Sequence, residues 1–489
     1  MIKITKTDVL WNYIAQFFSL ASGLITLPLI LKMLTVEEIA LNYIFLTVSS
    51  LVLLFDFGFS PQFSRNVSYV YGGAQTLKKE GIEDVSSAEV AINYRLIATL
   101  VKVGQYVYLR LALLVLLVML TVGSLYIYKV TDGFHSVAHS LPIWIIFSAS
   151  TAFTIYYEYY NFLLTGKGAI KETKIALLAS RIVYIVLTFL FLYIGWGLMG
   201  VVLANFIAPF VNRMLCYRFL FTEEFRTQLK PYNISKEEIS ATFDVIWYNA
   251  KKLGLVFVGA YAITKFSMFL AGLYLSNVEI ASYGLMMQLV NILSAVATTF
   301  FITFQPKFAA LRIEGNSQGF VRLFSFSMII FYILFALGGT ILLFFGNTIL
   351  GYIHSNAFLP NKLILCLYIG VVFLESNHSH FATAIVSKNN IPFVKSALIS
   401  GIGIAIGSFI VLKYTSWGIL GLVLVQGFCQ VVYNNWKWPL LILREFKLTI
   451  FQFIHIGIRE IYYKLKNIFN EIHSCNSNTL YSYKARNNS

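Results

Sequence analysis

Charged residues are scarce in this chain of 489 residues. Asp, Glu, Lys and Arg together make up 12% of it, about half of the roughly 25% that is usual in soluble domains. The apolar residues reach 58%, and the mean hydropathy is +0.73. So little charge cannot cover the water-facing surface of a protein of this length, which excludes a soluble globular protein and a disordered chain. The composition indicates an integral membrane protein.

Cysteine and nucleotide-binding motifs are also lacking. The four cysteines, Cys216, Cys366, Cys429 and Cys475, stand alone, without a CxxC pair or a Cys/His cluster. This spacing excludes a disulfide scaffold and predicts no metal site. The chain has no Gly-rich phosphate-binding loop, so we expect no use of ATP and no bound cofactor. The first apolar run, residues 9–31, is too long for the core of a signal peptide and predicts a first membrane span.

Long apolar windows fill most of the chain. Because lipid offers no hydrogen-bond partner to the backbone, and because the windows lack the alternation of a membrane barrel, we expect spanning helices. Twelve such windows are present, at residues 9–31, 41–60, 107–128, 140–165, 175–194, 198–220, 246–275, 281–303, 323–346, 363–386, 394–412 and 417–441. The predicted fold is therefore an all-α membrane protein with twelve transmembrane helices.

The net charge of +15 then becomes a signal of orientation. With the N-terminus in the cytoplasm, thirty of the 37 Lys and Arg residues fall on the cytoplasmic side, four on the opposite side and three within spans. Cytoplasmic loops of membrane proteins carry this excess of positive charge. We therefore expect both termini in the cytoplasm, and nucleic acid is not needed as a partner to explain the charge.

Similar segments recur in the same order in the two halves of the chain. The segment Gly195-Trp-Gly-Leu-Met-Gly-Val-Val-Leu203 matches Ser416-Trp-Gly-Ile-Leu-Gly-Leu-Val-Leu424 at a spacing of 221 residues. The segment Leu34–Ala40 likewise matches Leu275–Ala281, with a shared Glu-Ile-Ala. These matches predict a duplication of six spans, and since six is even, both copies enter the membrane in the same orientation. Two six-helix bundles related by a parallel repeat would enclose a central cleft, which is typical of transporters that work by alternating access.

Short motifs then suggest a family. They are Leu27-Pro-Leu-Ile-Leu31 with the following Glu37-Glu38, Asp56-Phe-Gly-Phe-Ser60 before Arg65-Asn66, Glu375-Ser-Asn-His-Ser-His380, and Asn390-Ile-Pro-Phe393. With these motifs the chain resembles Wzx-type O-antigen flippases, in the polysaccharide-transport branch of the multidrug/oligosaccharidyl-lipid/polysaccharide exporter superfamily. The resemblance covers nearly the whole chain. It implies a bacterial inner-membrane protein that moves an undecaprenyl-pyrophosphate-linked oligosaccharide to the periplasmic leaflet, with polysaccharide assembly proteins as partners.

Ionisable residues inside spans are rare and costly, which makes them functional candidates. Arg181 and Lys265 are the cations that we expect to meet the pyrophosphate of the cargo, since fixed cations in a wet cleft replace its hydration. Arg65, at the cytoplasmic mouth, and Glu158, among tyrosines, complete the predicted substrate site. The alternative for Lys265 is a structural ion pair with Glu375, which lies at a similar depth of ~20 Å.

The tenth span carries a second set of polar residues. Glu375 and His378 are three residues apart and share a helix face, whereas His380 points elsewhere. A buried carboxyl beside a histidine can exchange protons near neutral pH, so Glu375, His378 and, in the second span, Asp56 are predicted to couple transport to a proton or sodium gradient. Ordinary interhelical hydrogen bonds are the alternative interpretation.

The predicted domains are an N-terminal bundle over residues 1–221, a cytoplasmic linker over 222–243, a C-terminal bundle over 244–443 and a basic amphipathic tail over 444–489. Within the linker, Ser235-Lys-Glu-Glu238 predicts a capping box that opens a short helix. Residues 91–106 are predicted as a separate interfacial helix. The tail is predicted to lie on the anionic inner leaflet.

Three other functions stay open at this point. A drug/cation antiporter of the same superfamily would share the fold, but the buried cations favour an anionic cargo. A polytopic polymerase or glycosyltransferase would need a sizeable extracytoplasmic loop, and the longest loops on that face are short. No feature of the sequence supports a structural scaffold. We therefore expect a transporter rather than an enzyme.

Overall fold

The computed structural model describes residues 6–79, 92–386 and 392–464, together with residue 466. Every regular element within these residues is helical. In the first half the helices are α1 Lys6–Met33, α2 Val36–Val52, α3 Phe59–Tyr71, α4 Tyr94–Val118, α5 Ser124–Val130, α6 Ser140–Tyr156, α7 Glu158–Lys167, α8 Ile170–Tyr193 and α9 Gly197–Leu220. The second half contains α10 Glu223–Leu229, α11 Lys236–Thr264, α12 Phe266–Tyr274, α13 Asn277–Ile313, α14 Ser317–Tyr352, α15 Lys362–Val386, α16 Val394–Tyr414, α17 Gly418–Val432, α18 Asn434–Glu445 and α19, residues 450–464.

The prediction of an all-α, multi-pass membrane protein is confirmed. Each of the twelve predicted windows lies on helix, in some cases with a break inside the window. By length and hydropathy alone, eight helical spans of the described residues are suited to cross a membrane, or nine if the bent pair α11 and α12 is one span. The remaining windows, which fall on α1, α15 and α17 with α18, are helical as well. The twelve-helix arrangement in two bundles is consistent with this structure.

The chain divides into two compact units. The larger unit comprises residues 1–286, 347–360 and 397–425. The smaller unit comprises residues 287–346, 361–396 and 426–489. In the larger unit, α8 packs along α9 and α1, and α3 packs against α7. In the smaller unit, α15 packs against α18.

Four predicted spans are broken rather than straight, and one of the breaks, at Tyr433, separates α17 from α18. After α2, a single 3-10 turn ends at Asp56, and Phe57 and Gly58 follow in the left-handed region. The span formed by α6 and α7 breaks at Tyr157, so Glu158 is the first residue of α7. The third break, at Lys265, bends α11 and α12 by 46°. Breaks inside transporter spans free backbone and side-chain groups for binding, and two of these breaks place an acidic residue beside a helix N-terminus.

One local arrangement occurs twice in the larger unit. Glu38 forms a capping box with Thr35 at the start of α2, and it also accepts the Leu198 N–H at the start of α9, at 2.8 Å. Glu279 forms the equivalent bonds with Ser276 at the start of α13 and lies beside Gly418, where α17 begins. Gly197 and Gly418 have nearly equal positive φ angles, +50° and +51°. This twofold geometry agrees with the predicted parallel repeat.

Two helical segments are longer than predicted. Residues 91–106 do not form a separate interfacial helix, because α4 runs without interruption from Tyr94 into the predicted third span. Asn93 caps its first turn by accepting the Leu96 N–H. The capping box of Ser235 and Glu238 is present, but it opens the 29-residue α11 rather than a short helix. The Arg95 guanidinium donates to Glu238 at 2.8 Å, and this hydrogen bond holds the pKa of the Glu238 carboxyl below its ordinary value.

The tail helix α19 packs against protein on one face. Phe453 is buried between Phe324 on α14 and Phe381 on α15, with ring centroids 5.6 Å away in both cases. Ile450, Phe451 and other apolar residues of α19 are exposed. The predicted membrane-surface role therefore concerns this exposed face, and the part of the tail beyond residue 466 lies outside the described residues.

Candidate functional site

A polar cavity lies inside the larger unit, among α2, α6, α7, α8 and α9. Its volume is about 310 Å³, which is within the range of small-molecule sites. We call it the arginine cavity, because Arg181 of α8 and Arg213 of α9 both line it, together with the amides of Asn161, Asn205 and Asn212. Arg181 is exposed and lines this cavity, and its role as a substrate ligand stays a prediction.

Arg213 is the unexpected member of this cavity. The sequence count placed it among the cytoplasmic cations, but it is only 7% exposed within the larger unit. Its Nη2 donates to Glu158 Oε2 at 3.1 Å and to the Thr154 carbonyl at 3.2 Å. Its Nε and Nη1 are buried without a hydrogen-bond partner among the described residues. A buried guanidinium with two unused donor groups is costly unless a ligand or water satisfies them.

Glu158 is engaged by protein groups on two sides. Besides Arg213, the side-chain amide of Asn161 donates to both of its carboxylate oxygens, at 3.2 and 3.1 Å. The Glu158 side chain is 31% exposed. Glu158 was predicted as a ligand for the cargo, and in this structure it serves as the counter-ion of Arg213.

A second cavity, of about 330 Å³, adjoins the arginine cavity and shares Val52, Thr154 and Ile155 with it. We call it the carboxylate cavity, because Asp56 and Glu158 both line it. Asp56 accepts a hydrogen bond from the Tyr108 hydroxyl and one from the Ser60 N–H at 3.1 Å. The two carboxylates and the tyrosine hydroxyl form a hard oxygen donor set, which suits a proton or a sodium ion. The structure thus brings Asp56, predicted for ion coupling, and Glu158, predicted for substrate, to one cavity.

The two other predicted cations lie apart from these cavities. Arg65 on α3 is exposed, and its guanidinium lies over the Tyr69 ring at 5.9 Å from the centroid. Lys265 lies at the bend between α11 and α12 and is partly buried. Its backbone carbonyl accepts from the N–H groups of Met268 and Phe269 at the start of α12. The predicted pair of Lys265 with Glu375 joins residues of two different units and stays a prediction.

In the smaller unit, Glu375 is the centre of an amide network. Gln426 and Gln430 donate to its two carboxylate oxygens at 3.1 and 3.3 Å, and Asn434 donates to Gln430 at 2.8 Å. His378, one turn further on α15, hydrogen bonds through Nδ1 to Asn435 at 2.8 Å. These contacts agree with a shared helix face for Glu375 and His378.

His380 lies on another face of α15, as its spacing predicted. It is 4% exposed and packs against the rings of Phe301 and Phe331, with centroids 4.2 and 4.6 Å away. This packing indicates a structural role for His380. Its ring contacts are made with Phe301 and Phe331 and not with the Glu375 network. Among the described residues, no group of three or more His, Cys, Asp or Glu side chains is placed to hold a metal ion.

Two functional candidates were missed from sequence, Arg213 and Tyr108. Arg213 was assigned to the cytoplasm because it lies near the end of its predicted span. A signal was present, since Asn205, Asn212 and Arg213 recur at helical spacing and mark a polar stripe along α9. Tyr108 carried no comparable signal, because its role depends on Asp56, 52 residues away.

Comparison with known proteins supports the fold. No family model and no curated protein matches the chain. Among solved structures, the lipid II flippase MurJ in an inward closed conformation is similar with a TM-score of 0.63 and 15% identity, over 93% of this chain and 91% of that one. An inward-facing multidrug resistance MATE family transporter of the MOP superfamily gives a TM-score of 0.59 and 15% identity, over 91% of this chain and 97% of that one. The chain therefore shares its fold with these two solved structures.

Proposed function

We propose that the protein is a flippase for an undecaprenyl-pyrophosphate-linked O-antigen oligosaccharide. It carries the repeat unit from the cytoplasmic to the periplasmic leaflet of a bacterial inner membrane by alternating access, with both termini in the cytoplasm. Polysaccharide assembly proteins are the proposed partners. The fold shared with MATE transporters and with MurJ supports a transporter, and the cargo is argued from the charges of the cavities.

The observation that carries the proposal is the arginine cavity. Arg181 and Arg213 bring two guanidinium groups to the lining of this cavity, Arg213 buried and Arg181 exposed. Glu158 compensates the charge of the buried Arg213, and Arg181 leaves the lining of the cavity with an excess of positive charge. A pyrophosphate is a suitable partner, since guanidinium forks bind phosphate oxygens with two parallel hydrogen bonds. An organic cation would be repelled by the same surface.

Coupling to an ion gradient is the second element of the proposal. The carboxylate cavity with Asp56 and Glu158, and the amide network around Glu375 and His378, provide two acidic sites in separate units. Carboxylates inside a transporter can take up a proton or a sodium ion from one side and release it on the other. Asp56, Glu375 and His378 are therefore the proposed coupling residues.

The decisive experiment is deletion of the gene in its own cell, followed by analysis of lipid-linked sugars. Loss of the flippase should leave undecaprenyl-linked repeat units on the cytoplasmic leaflet and remove the surface polysaccharide. Complementation with the wild-type gene is the control. Normal surface polysaccharide in a strain without a second flippase would contradict the proposed cargo.

A drug/cation antiporter is the second candidate, and the carboxylate cavity is the observation that favours it. Asp56 and Glu158 could hold an organic cation in place of a small ion. The deletion strain would then become more sensitive to cationic dyes and detergents while its surface polysaccharide stayed normal. This pair of outcomes separates the two functions.

A further inference from the structure

Arg213 stands at the border of two cavities of opposite charge. Its Nη2 is bound to Glu158, which lines the carboxylate cavity. Its side chain is 8% exposed and lines the arginine cavity, yet its Nε and Nη1 have no partner among the described residues. Arg181 lies on the neighbouring helix of the same cavity. The arginine cavity is thus lined by two arginines, one of which is buried with donor groups that no described residue satisfies, and these are the features of an anion site.

We propose that Arg213 and Arg181 form a phosphate-binding site in which Glu158 is an internal competitor for Arg213. A phosphate anion entering the arginine cavity takes over the Arg213 guanidinium and releases the Glu158 carboxylate toward Asp56. This inference rests on the proposed function for the identity of the cargo, and it adds a role for Glu158 as a competitor that the transport proposal does not require.

The exchange follows from the hydrogen-bond capacity of the groups. A guanidinium carries five N–H donors, and Arg213 uses Nη2 alone, on Glu158 and the Thr154 carbonyl. Phosphate oxygens can accept from the unused Nε and Nη1, and further from Arg181. As the guanidinium turns toward the anion, its charge no longer neutralises Glu158. Glu158 keeps its bonds to Asn161 and stays in solvent-accessible contact with the carboxylate cavity.

The released carboxylate then has a defined consequence. Glu158 and Asp56 line the same cavity, and two uncompensated carboxylates in a low-dielectric space repel each other unless they take up a cation. Binding of the anion on one side of Arg213 therefore favours binding of a proton or sodium ion on the other. This gives a physical link between the cargo and the coupling ion within the larger unit.

The test is direct binding of inorganic pyrophosphate to the full-length protein purified in detergent, measured by calorimetry. Glu158→Gln removes the competitor and should tighten binding about tenfold to a hundredfold, the range expected for one hydrogen bond to a charged group. Arg181→Gln and Arg213→Gln should each weaken binding by a similar factor. A purely structural role for Glu158 predicts the opposite sign, so unchanged or weaker binding by Glu158→Gln overturns the proposal.

Two further variants keep the result interpretable. Glu158→Asp retains the charge but shortens the side chain by one methylene, so it should give an intermediate gain if Glu158→Gln fails to fold. Arg110→Gln is the matched control, because Arg110 is an exposed span arginine that lies over the Tyr106 ring and outside both cavities. Its affinity for pyrophosphate should equal that of the wild type, and a loss as large as that of Arg213→Gln would refute a specific site.

A polyprenyl pyrophosphate in the same assay separates a lipid headgroup from a free anion. Tighter binding of the lipid supports a headgroup site, and equal binding of both compounds overturns that part of the assignment. The sign of the Glu158→Gln effect does not depend on transport. If the deletion strain kept its surface polysaccharide while Glu158→Gln still gained affinity, the proposed cargo would fail and the anion site would stand.

Discussion

Breaking the pair of Arg213 and Glu158 should destabilise the protein unequally, depending on which partner is removed. Arg213 is 7% exposed, and Glu158 is its ionic partner among the described residues. The Glu158 side chain is 31% exposed and keeps two hydrogen bonds from Asn161 when Arg213 is absent. Removal of the carboxylate therefore leaves a buried, uncompensated cation, whereas removal of the arginine leaves a partly hydrated anion.

The expected magnitudes follow from this difference. Removing one partner of a fully buried pair costs about 3–5 kcal/mol, and partial exposure of Glu158 lowers this to roughly 2–3 kcal/mol for Glu158→Gln. For Arg213→Gln we expect about 1–2 kcal/mol, because water and Asn161 still serve the carboxylate. The double variant places two neutral amides side by side. It should cost less than the sum of the single variants by about 1–2 kcal/mol, which is the coupling energy of the pair.

These free energies are measured by denaturant titration in detergent, with tryptophan fluorescence as the signal. The proteins compared are the wild type, the two single variants and the double variant. Arg110→Gln controls for the loss of a span arginine and should change the free energy of unfolding by less than about 0.5 kcal/mol. Additivity of the two single variants within about 0.3 kcal/mol would refute the ion pair. A smaller cost for Glu158→Gln than for Arg213→Gln would refute the burial argument.

Three further outcomes are expected. Glu375→Gln should fold, because its amide neighbours Gln426 and Gln430 stay in place. Transport into vesicles by this variant should lose its dependence on a proton or sodium gradient. Retained dependence would exclude Glu375 as the coupling group. Lys265→Met should leave the free energy of unfolding within about 1 kcal/mol of the wild-type value, since the contacts at the bend are made by the backbone. The same variant should abolish flipping if Lys265 binds the cargo. Gly166→Ala places a Cβ 2.5 Å from Val67 Cβ and should cost about 1–3 kcal/mol in the same unfolding assay, whereas Gly370→Ala, which meets no atom within 4 Å, should cost nothing.

Sequence was sufficient for the helical windows because hydropathy alone decides whether a segment enters lipid. It was insufficient for the breaks. Lys265 interrupts an apolar run, but neither glycine nor proline stands next to it to indicate a 46° bend. At Asp56 a signal did exist, since Gly58 two residues later has a φ of +78° and a Cβ there would lie 2.9 Å from the Ala250 carbonyl oxygen. Residue preference therefore contributed to the break at Asp56, whereas no residue next to Lys265 indicates the bend there.

The site was predictable only in part, because charge counting treats each residue alone. Arg181 was identified from its depth in a span, and the structure places it in a cavity. Arg213 was counted with the cytoplasmic cations, and its depth in the span was not considered. Its burial depends on Glu158, which is 55 residues away in sequence. Pairing of this range cannot be read from one sequence.

The predicted repeat would relate the two polar centres, which carry opposite charge. At the spacing of 221 residues that aligns Gly197 with Gly418, Asn205 of the arginine cavity corresponds to Gln426 of the Glu375 network. Arg213 then corresponds to Asn434, and Thr154, whose carbonyl accepts from Arg213, corresponds to Glu375. The predicted copies would thus use the same helix positions for a polar centre, which contains Arg213 in one copy and Glu375 in the other. If both copies carried charge of the same sign, the two polar centres could bind only one kind of ion. With the charges reversed, the predicted copies would offer a cationic centre and an acidic centre, and under the proposed function Glu375 would add a second cation site to that of Asp56 in the larger unit.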